Sequence, residues 1–207
     1  MPRRTALPVL CEQDREGRKP VNDLPWASKS MSYLDADPVA QWAAEAAEHG
    51  RAGSSRLLEV AVPGAVPAPV IAALRVPADA AVIRRRRLVL ADDRPVELMD
   101  SYYPAALAGG TPLALAKPIR GGATAQLALL GYRPDRCREY VTAEQPTADE
   151  RRLLQLGEHQ WVLKLLRQLL HEGHPVEVDV IARTAPGRGL AYDLALPAPT
   201  PPAKDHT

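Results

Sequence analysis

A chain of 207 residues, 46% hydrophobic and 25% charged, can build one well-packed domain or at most two small ones. Its net charge of +1 excludes a global basic field, so any nucleic-acid contact needs a local patch. Cys11 and Cys137 lie far apart without metal-ligand spacing, which argues against a disulfide framework or zinc site, and no run is long enough to span a membrane. The default setting is a reducing cytoplasm.

Residues 1–37 are polar, Pro-rich and aperiodic, and they open on MPRRTALPVLCEQDREGRKP, a basic start with no apolar core for a signal peptide. They read as a disordered or loosely attached extension, as does the Pro-rich tail over 198–207. Residues 38–197 carry clear periodicity. DPVAQWAAEAAEHG predicts a helix, with Asp37 as its cap, Pro38 in the first turn and Gly50 at its end. RLLEVAV (56–62) predicts a strand and APVIAALRV (68–76) a short helix. Residues 81–91 and 95–103 predict an antiparallel pair turned at ADDRP, where Asp92, Asp93 and Pro95 supply the turn chemistry. GGATAQLALLGY predicts a helix opened by glycines and closed by Gly131. RCREYVTAEQ is a strand, and TADERRLLQLG a helix with a capping box of Thr147 and Glu150. WVLKLLRQLLHEGHPVEVDVIAR predicts two long strands turned at HEGHP, and GLAYDLALP a last strand. Strands joined by tight turns give an α+β domain, a mainly antiparallel sheet with helices packed around it. No internal repeat is visible.

Four consecutive arginines, Arg84 to Arg87, interrupt the apolar run of 81–91. Alternation along a strand splits them two and two. Ile83, Arg85, Arg87 and Val89 share one face, and Val82, Arg84, Arg86, Leu88 and Leu90 the other. A localisation or nucleic-acid signal would want its basic cluster in an exposed loop. Three readings stay open, in falling order: a solvated strand end, a guanidinium that takes a carboxylate or phosphate in bidentate fashion, and direct nucleic-acid contact. Of His159, His171 and His174, the last two flank a hairpin turn with no third ligand at a metal spacing, so the group reads as solvated turn residues and neither metal nor cofactor is expected.

RRRRLVLADDRPVELMDSYYP resembles the R-x-R-x-x-x-x-G-E-P-x-x-x-E-x-S-Y-x-P segment of the UTRA domain, the effector-binding domain of HutC-type GntR transcription regulators, which has the chorismate-lyase-like fold. The likeness continues in order through GTPLALAKPIRGGATAQLALLG, REYVTAEQPTADERRLLQLG, WVLKLLRQLLHEGHPVEVDV and LAYDL, over about residues 40–197. The resemblance implies an antiparallel sheet with helices around a cleft for a small organic effector, often a phosphorylated sugar. Arg87 matches the first family arginine that grips an anionic group, and Arg85 shares its face. Val89 stands where the family has a second arginine, and Met99 where it has a glutamate. Ser101 and Tyr102 are retained. Gly122 and Thr124 fall near the family's serine and tyrosine at the start of the central helix, whose free N–H groups suit an anion. Glu177 matches a ligand-contacting glutamate, and Arg183 lies close to the family's aromatic-arginine pair. The implied ligand-binding set is Arg85, Arg87, Met99, Ser101, Gly122, Thr124, Glu177 and Arg183. Its departures from the family favour a more apolar ligand with one anionic group over a sugar phosphate. Ion pairing of Arg85, Arg87 and Glu177 across neighbouring strands is the competing reading.

Regulators of this type begin with a winged helix-turn-helix, and the Pro-rich residues ahead of the domain show no such pattern. The expectation is therefore a freestanding cytoplasmic sensor that does not read DNA alone. It would act on transcription through ligand-dependent dimerisation, as a homodimer or as a heterodimer with a full-length GntR-type regulator. Two other readings remain. One is an enzyme of chorismate-lyase-like fold, for which no acid/base pair has distinctive spacing. The other is a dimerisation scaffold that no longer binds ligand. The non-enzyme sensor is the reading carried forward.

Overall fold

The computed structural model describes residues 26–29, 37–185 and 188–194. In chain order these form β1 (Ala27–Lys29), α1 (Pro38–Glu48), β2 (Gly53–Ala61), α2 (Ala68–Leu74), β3 (Val82–Ala91) and β4 (Arg94–Pro104). There follow α3 (Ala105–Ala108), a 3-10 turn (Pro112–Ala114), α4 (Gly122–Leu129), β5 (Arg136–Glu144) and α5 (Ala148–Leu153). The chain then runs through β6 (Val162–His171), β7 (His174–Thr184) and β8 (Gly189–Ala191). The helix starts follow the sequence signals. The Asp37 carboxylate accepts from the Val39 N–H at 2.9 Å, and Pro38 sits in the first turn, where its missing N–H costs nothing. Thr147 and Glu150 form the reciprocal capping box of α5, with bonds of 3.2 and 2.8 Å.

Strands β2 to β7 make one antiparallel six-stranded sheet in the order β2-β3-β4-β7-β6-β5. The architecture is α+β, as the sequence predicts. Two features differ from expectation. First, β8 does not follow β7 into the sheet but pairs in parallel with β1 as a separate ribbon. Second, β1 belongs to the stretch assigned to a loose extension, yet it packs on α1. Trp26 stacks on Trp42 with ring centroids 5.2 Å apart, and its indole N–H and the Ser28 hydroxyl each donate to Glu45 at 2.7 Å. A stretch this short is tied down by aromatic stacking and one buried acid, neither of which produces a periodic pattern. The rest of the extension, apart from Asp37, and the 198–207 tail lie outside the described residues.

The sheet also contains a repeat that the sequence conceals. Val82 and Val162 open equivalent strands, Ala91 and His171 close them, and Arg94–Pro104 and His174–Thr184 return from them at the same offset. Both hairpins shift register at the matching place, between Val89 and Leu90 and between Leu169 and Leu170. Both turns use left-handed backbone, at Asp92 and Asp93 in one and at Glu172 and Gly173 in the other. Arg75 and Gln155, with φ of 54° and 55°, match in the same way. The two copies share backbone conformations, the run Pro95–Glu97 with Pro175–Glu177, and scattered identities such as Val82 with Val162 and Arg87 with Arg167. Identities this scattered make the repeat easy to miss in the sequence.

The helices cross over between the copies. Val70 and Leu74 of α2 pack on Val82, Tyr102 and Val178, so α2 lies partly on a strand of the second copy. Leu154, just after α5, packs on Leu88, Leu98, Val162 and Ala182, including strands of the first copy. Each fully buried aliphatic side chain contributes about 1.5–3 kcal/mol, and this exchange ties the halves into one core. On the opposite face of the sheet, Tyr103, Ala108, Leu113, Leu127, Leu169 and Val176 form a second cluster. Beside it, under α1 and the start of α4, the sheet is open as a cleft.

Candidate functional site

The two faces of β3 use the arginine run differently. On the face covered by α2 and α5, Arg86 grips Asp100 through two hydrogen bonds of 2.7 Å and reaches Asp149 at 2.7 Å, while Arg84 pairs with Glu59. On the cleft face Arg85 is buried, and it donates to the carbonyls of Leu113, Leu115 and Lys117 at 2.9, 2.7 and 2.8 Å. It thereby holds the loop that runs into α4. Arg87 is half-buried, and among the described residues its one hydrogen-bond contact is the Met99 sulfur at 3.1 Å. Among the described residues no carboxylate lies at ion-pair distance from it. The strand register explains this isolation: the residues across from Arg87 are Met99 on β4 and Leu57 on β2.

Arg87 joins two lobes of the cleft. One, of ≈ 70 Å³, includes Trp42, Met99, Thr124, Glu177, Ile181 and Arg183 in its wall. The other, of ≈ 250 Å³, includes Leu57, Arg85, Ser101, Tyr103, Ile119 and Gly122. Val39, Ser55, Arg87 and Ala123 line both. Room of this size suits a small organic molecule and not a polymer. Gly122 carries a φ of +85° where a Cβ would meet the Pro38 ring at 2.6 Å, so glycine is what lets α1 and α4 close over the cleft together.

The other charged groups of the cleft have partners. Arg183 donates to Glu97 at 2.7 Å, and the two are buried together. Arg167 donates to Glu139 at 2.6 Å and lies 3.9 Å from Asp179, which also accepts from the Ser101 hydroxyl at 2.6 Å. The Tyr103 hydroxyl donates to Glu177 Oε1 at 2.6 Å, and no donor among the described residues reaches Oε2. Burial, and then the Asp179 carboxylate beside it, push the Glu177 carboxyl well above the usual carboxylate range. Burial likewise raises Asp179 and holds the Tyr103 phenol far above its ordinary value. Glu177 is therefore biased towards the neutral acid.

The structure places all eight residues of the sequence-derived set on this cleft. Met99, Thr124, Glu177 and Arg183 face one lobe, Arg85, Ser101 and Gly122 the other, and Arg87 both. No ion pair joins Arg85, Arg87 and Glu177 among the described residues. Tyr102 is buried against α2 on the far face of the sheet. His171 and His174 sit in the β6–β7 turn, where their Nδ1 atoms meet the carbonyl oxygens of Arg133 and Glu172. The sequence reading missed Trp42, Glu97, Arg167 and Asp179. Alternation from Glu177 would have put Asp179 on the same face, and Glu97 is its repeat mate. Nothing in the sequence says that α1 brings Trp42 over the cleft.

Comparison with known proteins agrees with this architecture. The UTRA domain family model matches residues 48–182. The chain is 33% identical over 134 residues to an uncharacterized HTH-type transcriptional regulator of Streptomyces coelicolor, a match covering 63% of this chain and 50% of the relative. It thus spans about half the length of the curated relative it matches. Among solved structures, it superimposes with a TM-score of 0.64 on one described as a GntR-family transcriptional regulator, at 22% identity, covering 73% of this chain and 62% of that one. On the effector domain of PhnF from Mycobacterium smegmatis the TM-score is 0.61 at 17% identity, covering 75% of this chain and 94% of that one. The fold is that of the effector domains of transcription regulators. The chain belongs to the UTRA domain family. Among the described residues no helix is long and apolar enough to cross a membrane.

Proposed function

We propose that the chain is the small-molecule-sensing module of a GntR/HutC-type regulatory system, working in the cytoplasm, and that its effector is a mainly apolar molecule with a single anionic group seated on Arg87. One observation carries the reading: Arg87 is the cleft guanidinium whose cross-strand neighbours are Met99 and Leu57 instead of acids. Arg85 is committed to carbonyls, Arg183 to Glu97 and Arg167 to Glu139 and Asp179, while Glu177 leans to its neutral form. Arg85 and Arg87 are then the cleft guanidinium groups without a carboxylate partner among the described residues, and Arg87, with no carbonyl partner either, sits above walls made largely of Val39, Trp42, Val89, Leu169 and Ile181. A carboxylate meets the Arg87 guanidinium in bidentate geometry, whereas a phosphate monoester would find its second cation, Arg85, with terminal N–H groups already given to carbonyls. The role is binding and not catalysis, since Tyr103, Ser101 and Arg167 already occupy the two buried acids. Occupancy would reach transcription through pairing of chains, either two of these or one with a full-length GntR-type regulator.

The test is thermal denaturation of the purified chain against matched panels of monocarboxylates and phosphate monoesters. A ligand at a hundredfold excess over its Kd stabilises by about 2.7 kcal/mol, several degrees at this size. Hits among monocarboxylates support the reading. Hits confined to phosphate monoesters refute the single-anion assignment, and silence in both panels leaves a scaffold without an effector.

A further inference from the structure

On the floor of the cleft, β7 sets Glu177 and Asp179 on one face of the sheet, and both are buried. Their partners are unequal. Asp179 accepts from the Ser101 hydroxyl at 2.6 Å and lies 3.9 Å from the Arg167 guanidinium. Glu177 accepts from the Tyr103 hydroxyl at 2.6 Å; among the described residues its Oε2 meets no donor, and no cation lies at ion-pair distance from it. A buried carboxyl with only a neutral donor, and a second carboxyl beside it, is most stable as the neutral acid. Arg87 lines the same lobe, and its charge favours the ionised form of both acids. An anion seated on Arg87 cancels that influence.

We propose that effector binding in this cleft is linked to a proton: the Glu177–Asp179 pair holds one proton between its two carboxyls, and a carboxylate on Arg87 binds that form in preference to the doubly ionised one. The reason is electrostatic. Beside the singly ionised pair the ligand meets Arg87 and one neighbouring negative charge. The doubly ionised pair adds a second negative charge and draws on the same guanidinium. Tyr103 bonds Oε1 of Glu177, which leaves Oε2 as the place for the proton. The groups packed around the pair supply no competing titration near neutral pH. Arg85 and Arg87 on β3 and Arg167 on β6 stay charged. Glu139 on β5 is bonded to Arg167 and to the Tyr192 hydroxyl, and Glu97 on β4 to Arg183. Burial pushes the Cys137 thiol of β5 up to about 11 and holds the Tyr103 phenol of β4 far above its ordinary value. To the same lobe α1 and α4 contribute Pro38, Val39, Trp42, Ala123 and Thr124, none of which titrates there.

This inference rests on the reading that seats the effector's anion on Arg87, and one experiment separates the two. Benzoate and hexanoate are titrated calorimetrically into the full chain between about pH 6 and about pH 8.5, where both ligands stay ionised. Each titration is repeated in buffers of different ionisation enthalpy, so that the change in heat counts the protons taken up on binding. Affinity is greatest at the low end of the range, where the pair is protonated, and is lost as pH rises through its titration. The expected result for the wild type is net proton uptake and a Kd that rises about fivefold or more across the range. Glu177→Gln keeps an oxygen for the Tyr103 hydroxyl and has no proton to exchange, so its binding should be flat with pH and free of proton uptake. Wild-type binding that is flat with pH and takes up no proton would overturn the proposal and leave the Arg87 assignment standing. A pH slope that survives unchanged in Glu177→Gln would overturn it as well. The wild-type proton count needs no variant, so it decides even where Glu177→Gln fails to fold. Failure of both ligands to bind at any pH would remove the Arg87 reading and this inference with it.

Discussion

Arg87 and Arg167 occupy the same place in the two copies of the repeat, and their neighbours make them different groups. Across the strands from Arg167 stand Glu139 and Asp179; across from Arg87 stand Leu57 and Met99. The second copy surrounds its arginine with acids and makes it part of the framework. The first has apolar side chains at both positions, and its charge faces a cavity. The next pair along shows the same divergence in reverse. Glu97 is held by Arg183, while its mate Glu177 is held by a phenol and tends to the neutral acid. A symmetric backbone thus carries an asymmetric charge pattern, and the asymmetry marks one end of the cleft.

Substitutions at matched positions sharpen this contrast. The largest effect is expected for Arg167→Met, which leaves two buried carboxylates uncompensated and should destabilise by about 3–5 kcal/mol, lowering Tm by roughly 10 °C. Arg87→Met should stay within about 1 kcal/mol of wild type, because the bond lost is to the Met99 sulfur, a weak acceptor, and no carboxylate is left unpaired. Equal losses for the two variants in thermal melts would erase the distinction. Next, Met99→Asp should copy the second repeat into the first. By giving Arg87 an internal carboxylate it should weaken an anionic ligand by about 1.5–3 kcal/mol in a calorimetric titration while leaving the fold intact.

The third effect concerns pH. The folded pKa of Glu177 is raised, so between the unfolded glutamate value, about 4.3, and its folded value the native state binds the extra proton. Its contribution to stability is complete below that window and lost as pH rises through it. Glu177→Gln keeps an oxygen for the Tyr103 hydroxyl and cannot titrate. The Tm of wild type relative to Glu177→Gln should therefore fall with rising pH across the window, and a flat difference would deny the raised value. The smallest effect is at the helices. Thr147→Ala removes the box that opens α5 and should cost about 1 kcal/mol in a denaturant titration, whereas α2 begins at Pro67 with no side-chain bond to lose.

Much of this arrangement was legible in the sequence. The alternation of Arg84 to Arg87, the turn at Asp92 and Asp93, the cap at Asp37 and the capping box at Thr147 each state a local rule that the fold obeys. The family resemblance brought eight positions to one cleft, which local rules could not do, because Arg87, Thr124 and Glu177 meet only through the strand order. The partners of the charges stayed hidden for the same reason. Whether an arginine is bound or free depends on the residue across the strand, and register is a tertiary fact. The repeat is faint in the sequence because its identities, such as Arg87 with Arg167 and Pro95–Glu97 with Pro175–Glu177, are scattered, whereas the backbone angles agree throughout both turns. The β1–β8 ribbon escaped because stacking of Trp26 on Trp42 leaves no period.

The most direct test of the central claim is a thermal-shift panel of monocarboxylates, with benzoate and hexanoate among them, run side by side on wild type and Arg87→Met. The account predicts stabilising hits on the wild type that vanish in a variant of nearly unchanged intrinsic Tm. Hits of equal size on both proteins would contradict it, because the effector would then be held without the guanidinium that sets the two repeats apart.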